Sequence, residues 1–196
     1  VCRFGGLEMA EGRVVVNEKC RLCRQCLKHC PQEALSIVRA RRKRQDLSAW
    51  RGVLVYAEQS AGKIHPVTYE LIGKGKELAQ KLDQPLSCVL VGHGVREAAQ
   101  DLLKYGLDKV YVYDYPELKY FSIDPYAAAV GDAIAKLRPS ILLIGATSIG
   151  RSLAPVLAVR FRTGLTADCT VLDVKENGDL VQIRPAFGGN IMAQIV

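Results

Sequence analysis

The sequence predicts an α/β domain, a parallel sheet with helices on both faces, preceded by a small cysteine-rich α+β module. Three observations predict it. From Trp50 onward, fully apolar runs of four or five residues alternate with amphipathic stretches of helical period, the mark of right-handed βαβ units. Five of the seven cysteines crowd into the first thirty residues. At 196 residues and 49% hydrophobic content, the chain can bury one ordinary core and carry a small appendage.

Residues 1–38 are expected to form the small module. Arg13–Val16 reads as a short strand, and Leu35–Val38 as another that pairs within it. So few residues bury little surface, so a metal group must supply much of the folding energy. Residues 39–49 read as a basic linker. Arg39, Arg41, Arg42, Lys43 and Arg44 carry much of the net charge of +7, repel one another and resist burial. No aromatic residues alternate with them, so a solvated linker is expected rather than a nucleic-acid arm. A head that moves on this linker is predicted, with a head packed down through Leu47 and Trp50 as the alternative.

Residues 50–196 make the larger module. Val53–Tyr56 is a buried parallel strand, and Pro66 opens a helix to about Leu82 with Val67, Leu71, Leu78 and Leu82 at helical spacing. Cys88–Val91 is the next strand, followed by a helix from Val95 to about Lys104 that Gly106 closes. Lys109–Tyr113 is a strand. Asp124 is expected to cap, and Pro125 to start, a helix to about Leu137. Ile141–Ile144 is the fourth strand, with a helix from Arg151 to about Arg160. The tail changes character. Cys169–Val174 and Leu180–Arg184 flank Asn177-Gly178, a hairpin signal, and Asn190–Val196 reads as one more strand.

The chemistry sits in Cys20-x2-Cys23-x2-Cys26-x3-Cys30-Pro31, the spacing of a bacterial ferredoxin run for a [4Fe–4S] cluster. A tight loop with two residues between thiolates can wrap three of them round one corner of a cubane. Zinc more often takes two separated C-x2-C pairs. In two-cluster ferredoxins the cysteine before the proline serves the other cluster. Cys20, Cys23 and Cys26 then need a remote fourth ligand, and Cys2 is the candidate. The stretch from Cys2 to Leu7 resembles the C-P-x-G-A-I tail of a first run, with Arg3 in place of proline. Cys30 is the alternative fourth ligand, or a ligand of a second cluster. The opening on Val1 creates the expectation that residues lie upstream, and the stop in an apolar strand that residues lie downstream. Arg21, Arg24 and Lys28 give the cluster region a basic tint suited to an acidic electron carrier, or to a solvated face.

No run of eighteen apolar residues occurs, so no membrane span is expected. Cys88 and Cys169 lie in apolar runs and read as buried free thiols, which together with a metal-binding run fits a reducing cytoplasm. Gly145-x-Thr147-x-x-Gly150-Arg151 stands at a strand's carboxyl end and opens a helix, where open α/β sheets bind ligands and backbone amides suit phosphate. A tight turn needs the same small residues. Arg151 can serve an anion or a subunit interface. Gly188-Gly189 permits close backbone approach or a bulge. His65 and His93 read as turn residues, and no nucleophile–base pair emerges.

Three motifs here resemble the electron-transfer flavoprotein α subunit: Gly145 to Pro155, Thr163 to Thr170 and Arg184 to Asn190. Val55 to Glu58, Gly62, Pro66 and Glu70 to Gly73 add to the likeness, which covers about residues 50–196. The family often has Asp where this chain has Ser152, and Arg where it has Val156. The resemblance implies the α subunit's first domain, with an adenine-nucleotide-hydrolase-like sheet, in a heterodimer with a β subunit. It implies FAD held mainly in a C-terminal domain absent from residues 50–196. Members with a ferredoxin-like head occur in anaerobes. There they pass electrons among NADH, ferredoxin and flavin-containing dehydrogenases, some by flavin-based bifurcation. The expected function is an electron-carrier subunit relaying electrons through a [4Fe–4S] cluster and flavin, a carrier more than a free-standing enzyme. The alternative is a cluster-stabilised nucleotide-binding or regulatory module without redox turnover.

Overall fold

The computed structural model describes residues 2–37 and 47–196. Val38 and the basic run Arg39, Arg41, Arg42, Lys43 and Arg44, most of the expected linker, lie outside the described residues. The chain divides into two compact units, Val1–Gln45 and Asp46–Val196.

In the first unit, β1 (Leu7–Ala10) and β2 (Arg13–Val16) pair antiparallel in a register from Leu7↔Val16 to Ala10↔Arg13. Glu11 and Gly12 join them with φ of 50° and 75°, a two-residue turn whose twist matches that of the strands. A single helical turn follows, α1 (Gln25–Lys28). The strand expected at Leu35–Val38 is a correction: residues 35–37 join no ladder, and Leu7–Ala10 stands beside β2 instead. Closing a two-residue loop costs far less chain entropy than bringing up a segment almost twenty residues away.

The second unit runs β3 (Val53–Ala57), β4 (Gln59–Ser60), β5 (Lys63–Ile64), α2 (Pro66–Leu82), β6 (Leu86–Gly92), α3 (Arg96–Leu103) and β7 (Lys109–Asp114). It continues through α4 (Ile123–Leu137), β8 (Ile141–Leu143), α5 (Ser148–Phe161), β9 (Val171–Val174), β10 (Leu180–Ala186) and β11 (Ile191–Ile195). Strands β7-β6-β3-β8 form one sheet with every neighbouring pair parallel. The order turns back at β3, which leaves a crevice between the carboxyl ends of β3 and β8. The tail forms a separate antiparallel sheet, β11-β10-β9, its hairpin turning through Asn177-Gly178 as expected.

Two cores form on opposite faces of the parallel sheet. Val53, Val55 and Ala57 of β3 pack with Ile72 and Leu78 of α2 and with Ala99 and Leu102 of α3. Leu54 and Tyr56 of the same strand pack with Val130 and Ile134 of α4 and with Leu153 and Leu157 of α5. Successive strand side chains point to opposite faces, so one apolar run serves both layers. Trp50 packs on the second core, whereas Leu47 is 64% exposed.

Two helix starts differ from expectation. Ser122, not Asp124, is the N-cap of α4, and Asp124 sits in the first turn, where its charge meets the positive end of the helix. Helix α5 begins at Ser148 rather than Arg151, because the Thr147 hydroxyl accepts the Gly150 N–H at 3.0 Å and caps it.

Leu90 is fully buried in the centre of β6. Leu90→Ala is expected to lower stability by about 3 kcal/mol, read as a lower urea midpoint with an unchanged m-value.

Candidate functional site

The first unit surrounds a cavity of about 120 Å³ lined by Cys2, Cys20, Cys23 and Cys26, with Leu7, Val16, Leu27 and Leu35 among its apolar walls. Cys30 is not part of the lining. Among the described residues, no three His, Cys, Asp or Glu side chains gather as ligands of a single metal ion. The four cysteines instead line a shared space, and a cluster, unlike one ion, needs its ligands spread around a volume. The donor set, four thiols in an apolar pocket, fits an iron–sulfur group.

The backbone explains how the four cysteines reach one cavity. Leu22 and Arg24 have φ of 50° and 62°, so the chain reverses on either side of Cys23. Gly6 lies directly against Cys20: a Cβ there would come within 2.7 Å of the Cys20 Cα. Any larger residue would push the segment after Cys2 away from the Cys20 loop.

Cys2 and Cys30 stand in matching local frames. Gly6 N–H donates to Cys2 Sγ at 3.2 Å, and Ala34 N–H donates to Cys30 Sγ at 3.3 Å, each from four residues on. Gly5 and Glu33, three residues on, both have positive φ and close a turn onto the cysteine carbonyl. The amides of Phe4 and Gly6 hold the Cys2 thiol below its ordinary pKa, and those of Ala34 and Gln32 do the same for Cys30. Amides aimed at sulfur stabilise thiolate, the form that binds metal. The other two cysteines differ: burial pushes Cys88 up to about 12, and burial also raises Cys169.

In the second unit, Gly145, Thr147, Gly150 and Arg151 come together at the turn into α5, and the chain engages each of them. A Cβ on Gly145 would meet the Val67 side chain at 2.8 Å, so its absence lets the start of α2 approach β8. A Cβ on Gly150 would run into the Gly145 carbonyl oxygen. Arg151 donates from Nε to the Ala146 carbonyl at 3.1 Å and forms a two-pronged ion pair with Asp168. A residue given no site role in the sequence completes the crevice. Glu58, 6% exposed just after β3, accepts a hydrogen bond from the Thr147 hydroxyl. Its backbone N–H donates to Thr68 Oγ1 at 3.1 Å. A carboxylate of the chain itself therefore lies beside the positive end of α5.

The histidines do more than fill turns. His65 is the N-cap of α2, its Nδ1 accepting the Val67 N–H at 3.2 Å. His93 lies 3.5 Å from Asp114, a carboxylate not linked to it by any sequence spacing. The parallel register aligns Gly92 with Asp114, which brings the two ends of β6 and β7 together. Asp114 also accepts from Gly94 N–H at 2.7 Å and Val95 N–H at 3.2 Å, with Arg96 at 3.8 Å. These amides, Gly94 first, hold its carboxyl below the usual range.

Residues 53–196 match the electron transfer flavoprotein domain. The chain is 53% identical over 196 residues to the LctC subunit of a lactate dehydrogenase (NAD(+),ferredoxin) of Acetobacterium woodii. That likeness covers 100% of this chain and 47% of the relative. It is 51% identical over 148 residues to the electron transfer flavoprotein subunit alpha of Clostridium acetobutylicum, 75% of this chain and 44% of that one. The acryloyl-CoA reductase electron transfer subunit beta of Anaerotignum propionicum is 40% identical over 174 residues, 77% of this chain and 47% of its own length. The chain thus spans a little under half the length of these relatives.

Two outcomes follow from the geometry of the sheet's carboxyl edge. Thr147→Val removes the α5 cap and leaves Glu58 without its hydroxyl donor; a loss of about 1–2 kcal/mol is expected in urea unfolding. The folded pKa of Asp114 lies below its unfolded value of about 3.9, so its stabilisation is complete above that pH and is lost as pH falls through the folded value. Asp114→Asn should therefore unfold at lower urea than the parent at pH 7. The two midpoints should converge as pH drops below about 4.

Proposed function

The chain belongs to the electron transfer flavoprotein family, and from that premise we propose that it is the electron-carrying α-type subunit of a flavoprotein complex with an iron–sulfur site in its first unit. The observation that carries the iron–sulfur part is the apolar cavity lined by Cys2, Cys20, Cys23 and Cys26 and not by Cys30. Cys20, Cys23 and Cys26 would hold a [4Fe–4S] cluster from one loop, with Cys2 as the fourth ligand. Cys30, in the same kind of amide frame as Cys2, is the alternative fourth ligand or a ligand of a second cluster. This makes the first unit a ferredoxin-like module. Bound cluster supplies one-electron exchange, and flavin one- or two-electron exchange, so the pair converts between carrier types.

The protein's own residues prepare the site. The amides of Phe4 and Gly6 favour thiolate at Cys2, and Leu7, Val16, Leu27 and Leu35 make part of the cavity wall apolar. The family resemblance implies FAD held mainly outside residues 50–196, and this chain spans a little under half the length of its relatives. At the turn of Gly145, Thr147, Gly150 and Arg151, Glu58 already brings negative charge to the helix end. That favours contact with a partner subunit over a phosphate there. The proposed partners are a β subunit, a flavin-containing dehydrogenase and a ferredoxin or NADH-linked donor, in the cytoplasm of an anaerobe. Among the described residues no helix is long and apolar enough to cross a membrane.

Anaerobic purification followed by iron and sulfide analysis, and by EPR after dithionite, tests the assignment. Alanine at Cys2, Cys20, Cys23 or Cys26 is expected to abolish the reduced-cluster signal from this site. Cys30→Ala should retain it. Loss at Cys30→Ala with retention at Cys2→Ala would reverse the fourth-ligand choice, and zinc without iron in the parent protein would remove the redox role.

A further inference from the structure

We propose that the mouth of the cysteine-lined cavity is the docking face for an acidic one-electron carrier protein. It rests on the iron–sulfur site proposed above and names the partner's chemistry. The charged residues lining the cavity are Arg3, Arg21 and Arg24; no aspartate, glutamate or lysine takes part. All three arginines are exposed. Such one-sided charge is not a property of the whole unit, whose described residues include Glu8, Glu11, Glu18 and Glu33. None of those four acids lines the cavity, whereas three of the unit's four described arginines do.

A second observation concerns where the site comes nearest solvent. Cys23 is the one exposed thiol among the cavity's four cysteines. Leu22 and Arg24, on either side, have left-handed backbone and are exposed, Leu22 at 76%. Arg21 lies over the Phe4 ring at 4.7 Å from its centroid, and Phe4 is itself 39% exposed. The face therefore presents apolar Leu22 and Phe4 together with three guanidinium groups, one of them stacked on the Phe4 ring. That is the anatomy of a protein interface with a charged rim. Electron transfer falls off steeply with distance, so the face around the most exposed thiol is the productive one to dock on. A nucleic acid or an anionic membrane would use the charge but gain nothing from the thiols beneath. Long-range attraction between the arginines and an acidic partner raises the rate of encounter and is screened by salt.

The test uses Arg24→Gly, because a residue with φ of 62° tolerates glycine without backbone cost, so charge is removed while the fold is kept. Arg3→Glu/Arg24→Gly enlarges the change. Electron exchange with a dithionite-reduced acidic ferredoxin is followed by stopped flow at ionic strengths from about 20 mM to 0.5 M. Binding of the same ferredoxin is measured in parallel by biolayer interferometry, with duplex DNA and phosphatidylserine vesicles as other polyanions. At low salt the single variant is expected to exchange about threefold more slowly and the double variant more than tenfold, with matching losses of affinity. The differences should vanish at high salt, with iron content unchanged. Parent-like rates and affinities in both variants at low salt would overturn the proposal. So would a potential shift without any change in exchange rate, or binding of DNA or vesicles as tight as that of ferredoxin. A parent protein without iron would defeat the cluster assignment instead, and interferometry would still decide whether the face binds an acidic protein.

Discussion

The larger unit depends on one strand. Every residue of β3, Val53 to Ala57, is at most 2% exposed, because β6 and β8 pair with its two edges and helices cover both of its faces. A strand in that position cannot alternate apolar and polar residues, which is why Val-Leu-Val-Tyr-Ala reads as an unbroken apolar run. Its register then fixes the rest. The neighbours β6 and β8 align on it residue by residue, and the order turns back beside it, so the sheet's crevice opens where β3 ends.

What lies at that crevice is polar and internally satisfied. Glu58 follows the last buried residue of β3 and meets Thr147, which also caps α5. Gln59 donates to the Val91 carbonyl at 3.0 Å across the sheet. Burial of such groups is tolerable because each has a partner, and the partners join strand ends to helix starts. The carboxyl edge is therefore a set of cross-links, and the small residues of the turn into α5 serve close packing there.

The first unit rests on the opposite constraint. Its strands bury almost nothing: β2 is exposed along its whole length, and Gly6 is the buried residue among those described. With so little core, the β1–β2 ladder and the bonds from Asn17 to the Gly5 and Gly6 carbonyls are what hold the segments in register. A group bound by Cys2 and the Cys20 loop would tie the two segments together, so that binding and order in this unit would go together. The arginines at the rim follow from the same economy of size, because the shell that surrounds the site is also its outer surface.

Local signals in the sequence determined much of this. Apolar runs marked four strands of the parallel sheet, Pro66 marked the start of α2, Asn177-Gly178 marked the hairpin, and the cysteine spacing marked the loop of the head. Each is written into consecutive residues, where sterics and period act directly. Tertiary structure decided the rest. Nothing local pairs His93 with Asp114 or Glu58 with Thr147, because those contacts exist only after parallel strands align their ends. Nor could local pattern tell Leu7–Ala10 from Leu35–Val38 as the partner of β2, since both are short and have three apolar residues in four. A two-residue turn at Glu11-Gly12 settles it through chain entropy. The separation of Cys2 from Cys30 came likewise from folding: both stand in like amide frames, and three-dimensional closure of Gly6 on Cys20 puts Cys2 at the cavity and leaves Cys30 outside its lining.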